Sequence, residues 1–141
     1  MNKYFYQVDY NYVDKNNNSH YFDIGCFSTL KKAKNSIDQL RGKSGFCNSN
    51  GTFDISKFLV RFDKETNFND TVYLYEVSHE YMDEEGYDNW IVFGVYATYE
   101  EAQAVQLEKS IQYPYSENPN GFCIATLEVD LCGWSEGFSQ W

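Results

Sequence analysis

Residues 4–62 of this chain align without a gap on residues 73–131, at a constant displacement of 69 positions. Identical pairs fall at Tyr4/Tyr73, Tyr6/Tyr75, Val8/Val77, Tyr12/Tyr81, Asp14/Asp83, Gly25/Gly94, Thr29/Thr98, Ala33/Ala102, Phe53/Phe122 and Ile55/Ile124. A tandem repeat that keeps its aromatic and glycine positions keeps a fold unit. A unit of about 70 residues is marginal without a staple, so the two copies are expected to pack together or the chain to dimerise. At 141 residues the whole chain buries roughly 70% of its unfolded surface, enough for a core.

Each copy opens on period-two alternation. Tyr4, Tyr6, Val8, Tyr10 and Tyr12 share one face against Gln7, Asp9 and Asn11; Tyr73, Tyr75, Val77, His79 and Tyr81 oppose Glu76, Ser78 and Glu80. Such alternation, rich in Tyr and Val, marks a half-buried antiparallel strand. Polar turns follow at 15–19 and 84–89, then second strands in which Phe22, Ile24 and Cys26 match Ile91, Phe93 and Val95. Gly25 and Gly94 inside those strands imply a bulge or the close approach of another group. Leu30, Ala33, Ile37 and Leu40 recur at helical spacing, with Ser28 or Thr29 as cap and Gly42 as stop. In the second copy Thr98-Tyr-Glu-Glu101 reads as a capping box, with Ala102, Val105 and Ile111 as a less regular apolar face. The third strands change phase at the same place: Phe53 and Ile55 precede Phe58, Val60 and Phe62, as Phe122 and Ile124 precede Leu127 and Val129. A repeated change of phase predicts a bulge or bend. The expected fold is α+β, two tandem β-β-α-β repeats packed as one pseudo-symmetric unit with antiparallel sheet. The boundaries read as a first repeat over 1–63, a linker over 64–71, and a second, acidic repeat over 72–141 that ends in a Trp-x-Glu-Gly-Phe tail.

The copies differ in charge. Residues 1–70 hold ten basic and eight acidic side chains, whereas residues 71–141 hold thirteen acids and one base, Lys109. The formal net charge of −10 opposes a nucleic-acid backbone or an anionic membrane as partner, since both select a basic footprint. A basic protein fits. The densest cluster, Glu76, Glu80, Asp83, Glu84, Glu85 and Asp88, is interspersed with Tyr81, Tyr87 and Trp90. Interface centres combine aromatic anchors with charge at the rim, so Glu76, Glu80, Asp83, Glu84, Glu85, Tyr87, Asp88 and Trp90 form the candidate partner-binding set. A solvated acidic face that serves solubility is the plainer reading of the same residues.

Catalytic and metal constellations fare less well. His20 and His79 occupy non-equivalent positions without ligand partners at metal spacing; His79 replaces Tyr10 and reads as a packed imidazole. Glu76 and Glu80, four strand residues apart, lie near 13 Å at about 3.3 Å per residue, too far for a glycosidase-type pair. Gly-x-Ser-x-Gly, the Walker loop and Gly-x-Gly-x-x-Gly are all missing from the sequence. Cys26, Cys47, Cys123 and Cys132 show no Cys-x-x-Cys spacing and read as free thiols, with Cys123 and Cys132 expected to be buried and structural. No cofactor and no metal are expected. A possible pocket rests on Trp134 and Glu136 as a small-ligand or weakly enzymatic alternative. The amino terminus has no hydrophobic stretch like that of a signal peptide, and a cytoplasmic location is expected.

The second copy resembles a family of small bacterial domains without an assigned activity. The pattern runs through Tyr75-Glu-Val77-Ser-His79-Glu-Tyr81, then Gly94-Val-Tyr96-Ala-Thr98, and closes on Gly121-Phe122-Cys-Ile124 and Asp130-Leu-Cys-Gly-Trp134-Ser-Glu136-Gly137-Phe138. The first copy keeps the scaffold and lacks that ending. Small acidic proteins of this kind are similar to immunity proteins of bacterial toxin systems. The resemblance implies a non-catalytic, cytoplasmic inhibitor, monomeric or homodimeric, that occludes a basic, nuclease-like toxin; an acidic DNA mimic is the further alternative.

Overall fold

The computed structural model describes residues 1–139. Gln140 and Trp141, which the sequence reading places in the tail, lie outside the described residues. The first unit comprises β1 (Asn2–Val13), β2 (Ser19–Phe27), α1 (Leu30–Leu40) and β3 (Thr52–Arg61). The second repeats the order with β4 (Tyr73–Met82), β5 (Asp88–Tyr96), α2 (Tyr99–Ser110) and β6 (Phe122–Glu128), with two 3-10 turns between α2 and β6. Each unit forms a three-stranded antiparallel sheet with its first strand central, β2-β1-β3 and β5-β4-β6.

Local chemistry accounts for the elements. The Thr29 hydroxyl accepts from the Lys32 N–H and starts α1, and the Thr98 hydroxyl accepts from the Glu101 N–H and starts α2. On α1, Ala33, Ser36, Ile37 and Leu40 are buried against β1 and β2. Burying a residue such as Leu40 stabilises by about 1.5–3 kcal/mol. On α2 only Ala102 is buried. Ile111 caps the helix end and is 81% exposed, which corrects its expected place on the apolar face. Leu40 corresponds to Lys109 and Ile37 to Gln106, so the second helix has lost the apolar stripe that seats the first.

The bulges fall in the second strands. Val8 pairs with Gly25 and Asp9 with Asp23, skipping Ile24; Val77 pairs with Gly94 and Ser78 with Val92, skipping Phe93. At Gly25 a Cβ would lie 2.5 Å from the Leu131 carbonyl oxygen, so the tail's path requires glycine there. The third strands carry no register shift: β1 pairs with β3 from Asn2/Arg61 to Asn11/Thr52 without interruption. The change of phase seen in the sequence has another cause, which corrects the expected bulge. Phe53 and Ile55 pack in the cluster under α1, whereas Phe58 and Val60 pack in a second cluster with Phe5, Phe62, Leu74 and Val129. One end of each sheet is buried beneath its helix and the other end against the opposite unit, so the buried face switches along the strand.

That second cluster joins the units. Phe5 and its counterpart Leu74 are fully buried in it, on the strand face opposite Val8 and Tyr10. At the two seams β2 touches β6 and β3 touches β5, an approximate two-fold relation. Among the described residues only the first seam carries a backbone bridge, parallel, between Cys26 and Val129. Phe62 and Phe68 stack edge to face at 5.5 Å, and Lys3 Nζ lies 4.9 Å from the Phe68 ring while donating to the Ser28 carbonyl at 2.6 Å.

Candidate functional site

The tail decides how the candidate residues divide. Beyond β6 the chain crosses onto the first unit. The Asp130 N–H donates to the Cys26 carbonyl, and its carboxylate accepts from the Ser28 N–H and hydroxyl, both at 2.7 Å, and from Lys32 Nζ at 3.0 Å. Burial pushes the Asp130 carboxyl up, but these donors outweigh it and hold its pKa below the usual value. Farther on, the Gly133 N–H donates to the Ile24 carbonyl at 2.7 Å and the Phe138 N–H to the Ser44 carbonyl at 2.8 Å. Trp134 stacks on Phe22 at 4.5 Å and donates its indole N–H to the Asp23 carbonyl. The Phe138 ring enters a cage of Phe22, Phe46 and Tyr12 with centroids 4.6, 4.9 and 5.3 Å away. The most specific motif of the second copy therefore completes the core of the first. Glu136, between them, is exposed.

Strand parity sorts the acidic cluster into two places. Glu80 is paired across the sheet with Trp90, and Met82 with Asp88. These four side chains share the face turned away from α2. Trp90 is 60% exposed there. Asp88 beside it raises the Glu80 pKa through a shared hydrogen bond and like charge. Glu76 lies deeper on the same strand face. Desolvation raises its pKa first, followed by the charges of Asp23 and Asp9 of the first unit. Asp23 reaches solvent in part yet is raised in the same way, by burial and by Asp9, against a lowering hydrogen bond from Gln7. The anionic face thus crosses the boundary between units and includes Asp9 and Asp23, which the charge count of the halves hid. The signal was present in strand parity: Asp9 and Gln7 occupy the phase of Ser78 and Glu76.

The remaining residues sit in the β4–β5 turn. Asp83 accepts from the Glu85 and Tyr87 N–H groups through Oδ1 and from the Asn89 amide through Oδ2, and the Asn89 bond leads the lowering of its pKa. Its counterpart Asp14 makes the same turn, binding the Asn16 and Asn18 N–H groups and His20, with its pKa lowered to about 2. Asp83 is first a turn former. Glu84 and Glu85 are exposed, and Tyr87 is 67% exposed.

His79 is fully buried among Tyr115, Phe122 and Tyr81, and its Nε2 donates to the Asn118 carbonyl at 2.8 Å. Nδ1 is then the bare nitrogen, buried without a partner. Among the described residues, no three His, Cys, Asp or Glu side chains converge as a metal set. All four cysteines are free. Cys26 is buried, and burial foremost, with nearby carboxylates, pushes its thiol up to about 12. Cys123 is exposed and Cys132 half-buried, which corrects the expectation that both are buried: Cys123 lies at the start of β6, opposite Ser78. No helix among the described residues is long and apolar enough to cross a membrane. Comparison with known proteins finds no matching family model, no matching curated protein and no matching solved structure.

Proposed function

We propose that this chain is a non-catalytic, cytoplasmic binding protein that caps a basic protein surface, most concretely an immunity protein that neutralises a nuclease-like toxin. The observation that carries the reading is a charge imbalance beside exposed rings. Glu80 and Asp88 crowd each other, and Glu76 faces Asp23 and Asp9. The second unit's single base, Lys109, lies over the Phe93 ring at 5.5 Å. Lys or Arg from a partner would neutralise these carboxylates and remove their mutual repulsion, while Trp90 and Tyr87 supply apolar area. The same charge argues against nucleic acid and anionic membrane as partners. Trp134 is spent on packing against Phe22, which favours this reading over a ligand pocket at Trp134 and Glu136.

Affinity capture from the native cell extract, followed by a growth assay with the captured polypeptide, tests the proposal. The wild type should retain a polypeptide of pI above about 9 and protect cells that express it. The combined substitution of Glu80, Glu84, Glu85 and Asp88 by Lys should release that polypeptide and abolish protection. Equal capture by both proteins refutes the surface.

A further inference from the structure

The repeat permits an internal comparison. In the first unit the Phe138 ring sits against Tyr12 and Phe22, with its N–H on the Ser44 carbonyl and its backbone against Gly45. The corresponding positions of the second unit are Tyr81, Ile91, Tyr113 and Pro114. The correspondence holds in three dimensions, because Tyr10 bonds Ser49 and His79, its counterpart, bonds Asn118, the counterpart of Ser49. No segment of the described chain takes the place of the Phe138 strap there. Instead a groove of about 470 Å³ opens between the β4–β5 turn and the loop after α2, lined by Tyr81, Tyr113 and Pro114 on one side of its chemistry and by Glu84, Glu85 and Glu117 on the other. Tyr113 in this lining is 79% exposed.

We propose that this groove is a second seat for an aromatic side chain, filled by a segment of a partner protein that flanks one Trp or Phe with Lys or Arg. Two observations select the occupant. The seated tail shows the geometry: a turn over residues 133–136, closed by the Gly137 N–H on the Trp134 carbonyl, that gives one ring to the aromatic cage and one N–H to the loop carbonyl. The lining sets the charge, since Lys15, Asn16 and Asn48 of the first unit are replaced by Glu84, Glu85 and Glu117. A second copy of the chain's own tail would bring Glu136 against those carboxylates, so self-docking is disfavoured. The volume lies within the roughly 300–1,000 Å³ of small binding clefts. The proposal rests on the basic-partner reading and locates an anchor beside the acidic face, sharing Glu84 and Glu85 of the turn with it, while Tyr81 points to the strand face opposite Glu80 and Trp90.

The test uses the full chain and a fluorescent peptide, Gly-Lys-Lys-Trp-Lys-Lys-Gly, followed by anisotropy. Binding should weaken at least tenfold when the peptide's Trp becomes Ala, or when the protein carries Tyr113→Ala or Glu117→Lys, two exposed positions whose change leaves the core untouched. Glu80→Lys with Trp90→Ala should leave peptide binding within twofold of the wild type while abolishing capture of the whole partner. Equal binding of the Ala peptide, loss of peptide binding only in the Glu80/Trp90 variant, or a concentration-dependent dimer without peptide each overturns the groove. Among these, loss confined to the Glu80/Trp90 variant leaves the acidic-face reading intact, whereas unchanged partner capture by that variant refutes the acidic face and leaves the groove standing.

Discussion

Replacing Phe138 by Ala should destabilise the first unit although Phe138 belongs, in sequence, to the second. A Phe→Ala change in a core costs about 3–5 kcal/mol. Phe138 is half-buried, which reduces the burial share to roughly half, while lost ring pairs with Phe22, Phe46 and Tyr12 return about 0.5–1.5 kcal/mol. The expected cost is about 2–4 kcal/mol. For a chain of this size each kcal/mol moves Tm by about 2–4 °C, so Tm should fall by roughly 4–16 °C. The urea midpoint should drop by about 1 M. Location is the sharper readout: hydrogen exchange should accelerate at Tyr10, Tyr12 and Phe22 and stay unchanged at His79, Tyr81 and Ile91. Glu136→Ala, at an exposed position, is the control and should move neither. An unchanged midpoint, or exchange that accelerates first in the second unit, refutes the assignment of the tail.

Three further outcomes follow from the same geometry. Gly137 and Gly86 both hold positive φ, +80° and +85°, but a Cβ on Gly137 would run into Ser44 whereas one on Gly86 meets nothing within 4 Å; Gly86→Ala should cost about 1 kcal/mol for the left-handed backbone, and Gly137→Ala distinctly more in the same urea titration. Asp130→Ala should cost about 1–3 kcal/mol by stranding the Ser28 donors, against about 0.2–1 kcal/mol for Lys32→Ala, with equal costs refuting the capping role. The pH dependence should turn over: Asp23 and Glu76 have folded pKa values raised above 3.8 and 4.5, so their charged forms cost stability at neutrality and protonation relieves that cost as pH falls towards those unfolded values. Asp14 and Asp130 have lowered folded pKa values, so their contribution is present above the unfolded value of 3.8 and is lost below it. A urea midpoint that declines steadily from pH 7, or a rise that survives Asp23→Asn with Glu76→Gln, contradicts the assignment.

The repeat and its elements were legible because strand alternation and helix caps are local. Thr29 and Thr98 bond the third residue onward, as their spacing implies. The alternating strands, and a bulge at Gly25 and Gly94, follow from residues within a few positions of each other. What was not legible depends on distant partners. Phe5 and Leu74 break the alternation because the opposite unit covers their face, and nothing near them in sequence signals that. The change of phase in the third strands looked like a bulge because a sequence reading assumes one buried face, while these strands serve two cores. The candidate acidic set was identified by composition, but its division between a sheet face and a turn required the register. The tail's destination was the least accessible of all, since the repeat alignment ends at residue 131 and the first copy offers no counterpart from which to infer a docking site.

The strap has a consequence for biogenesis. Trp134 reaches back 111 positions to Asp23, so residues 1–63 cannot close their own interior without the later tail. Domains ordinarily acquire structure in order of synthesis; here the first unit must wait, partly open, until residues 130–138 have been made. Maturation of the two units is thereby made a single late event, and a chain truncated before residue 134 would be exposed to proteolysis in its first unit rather than at its broken end.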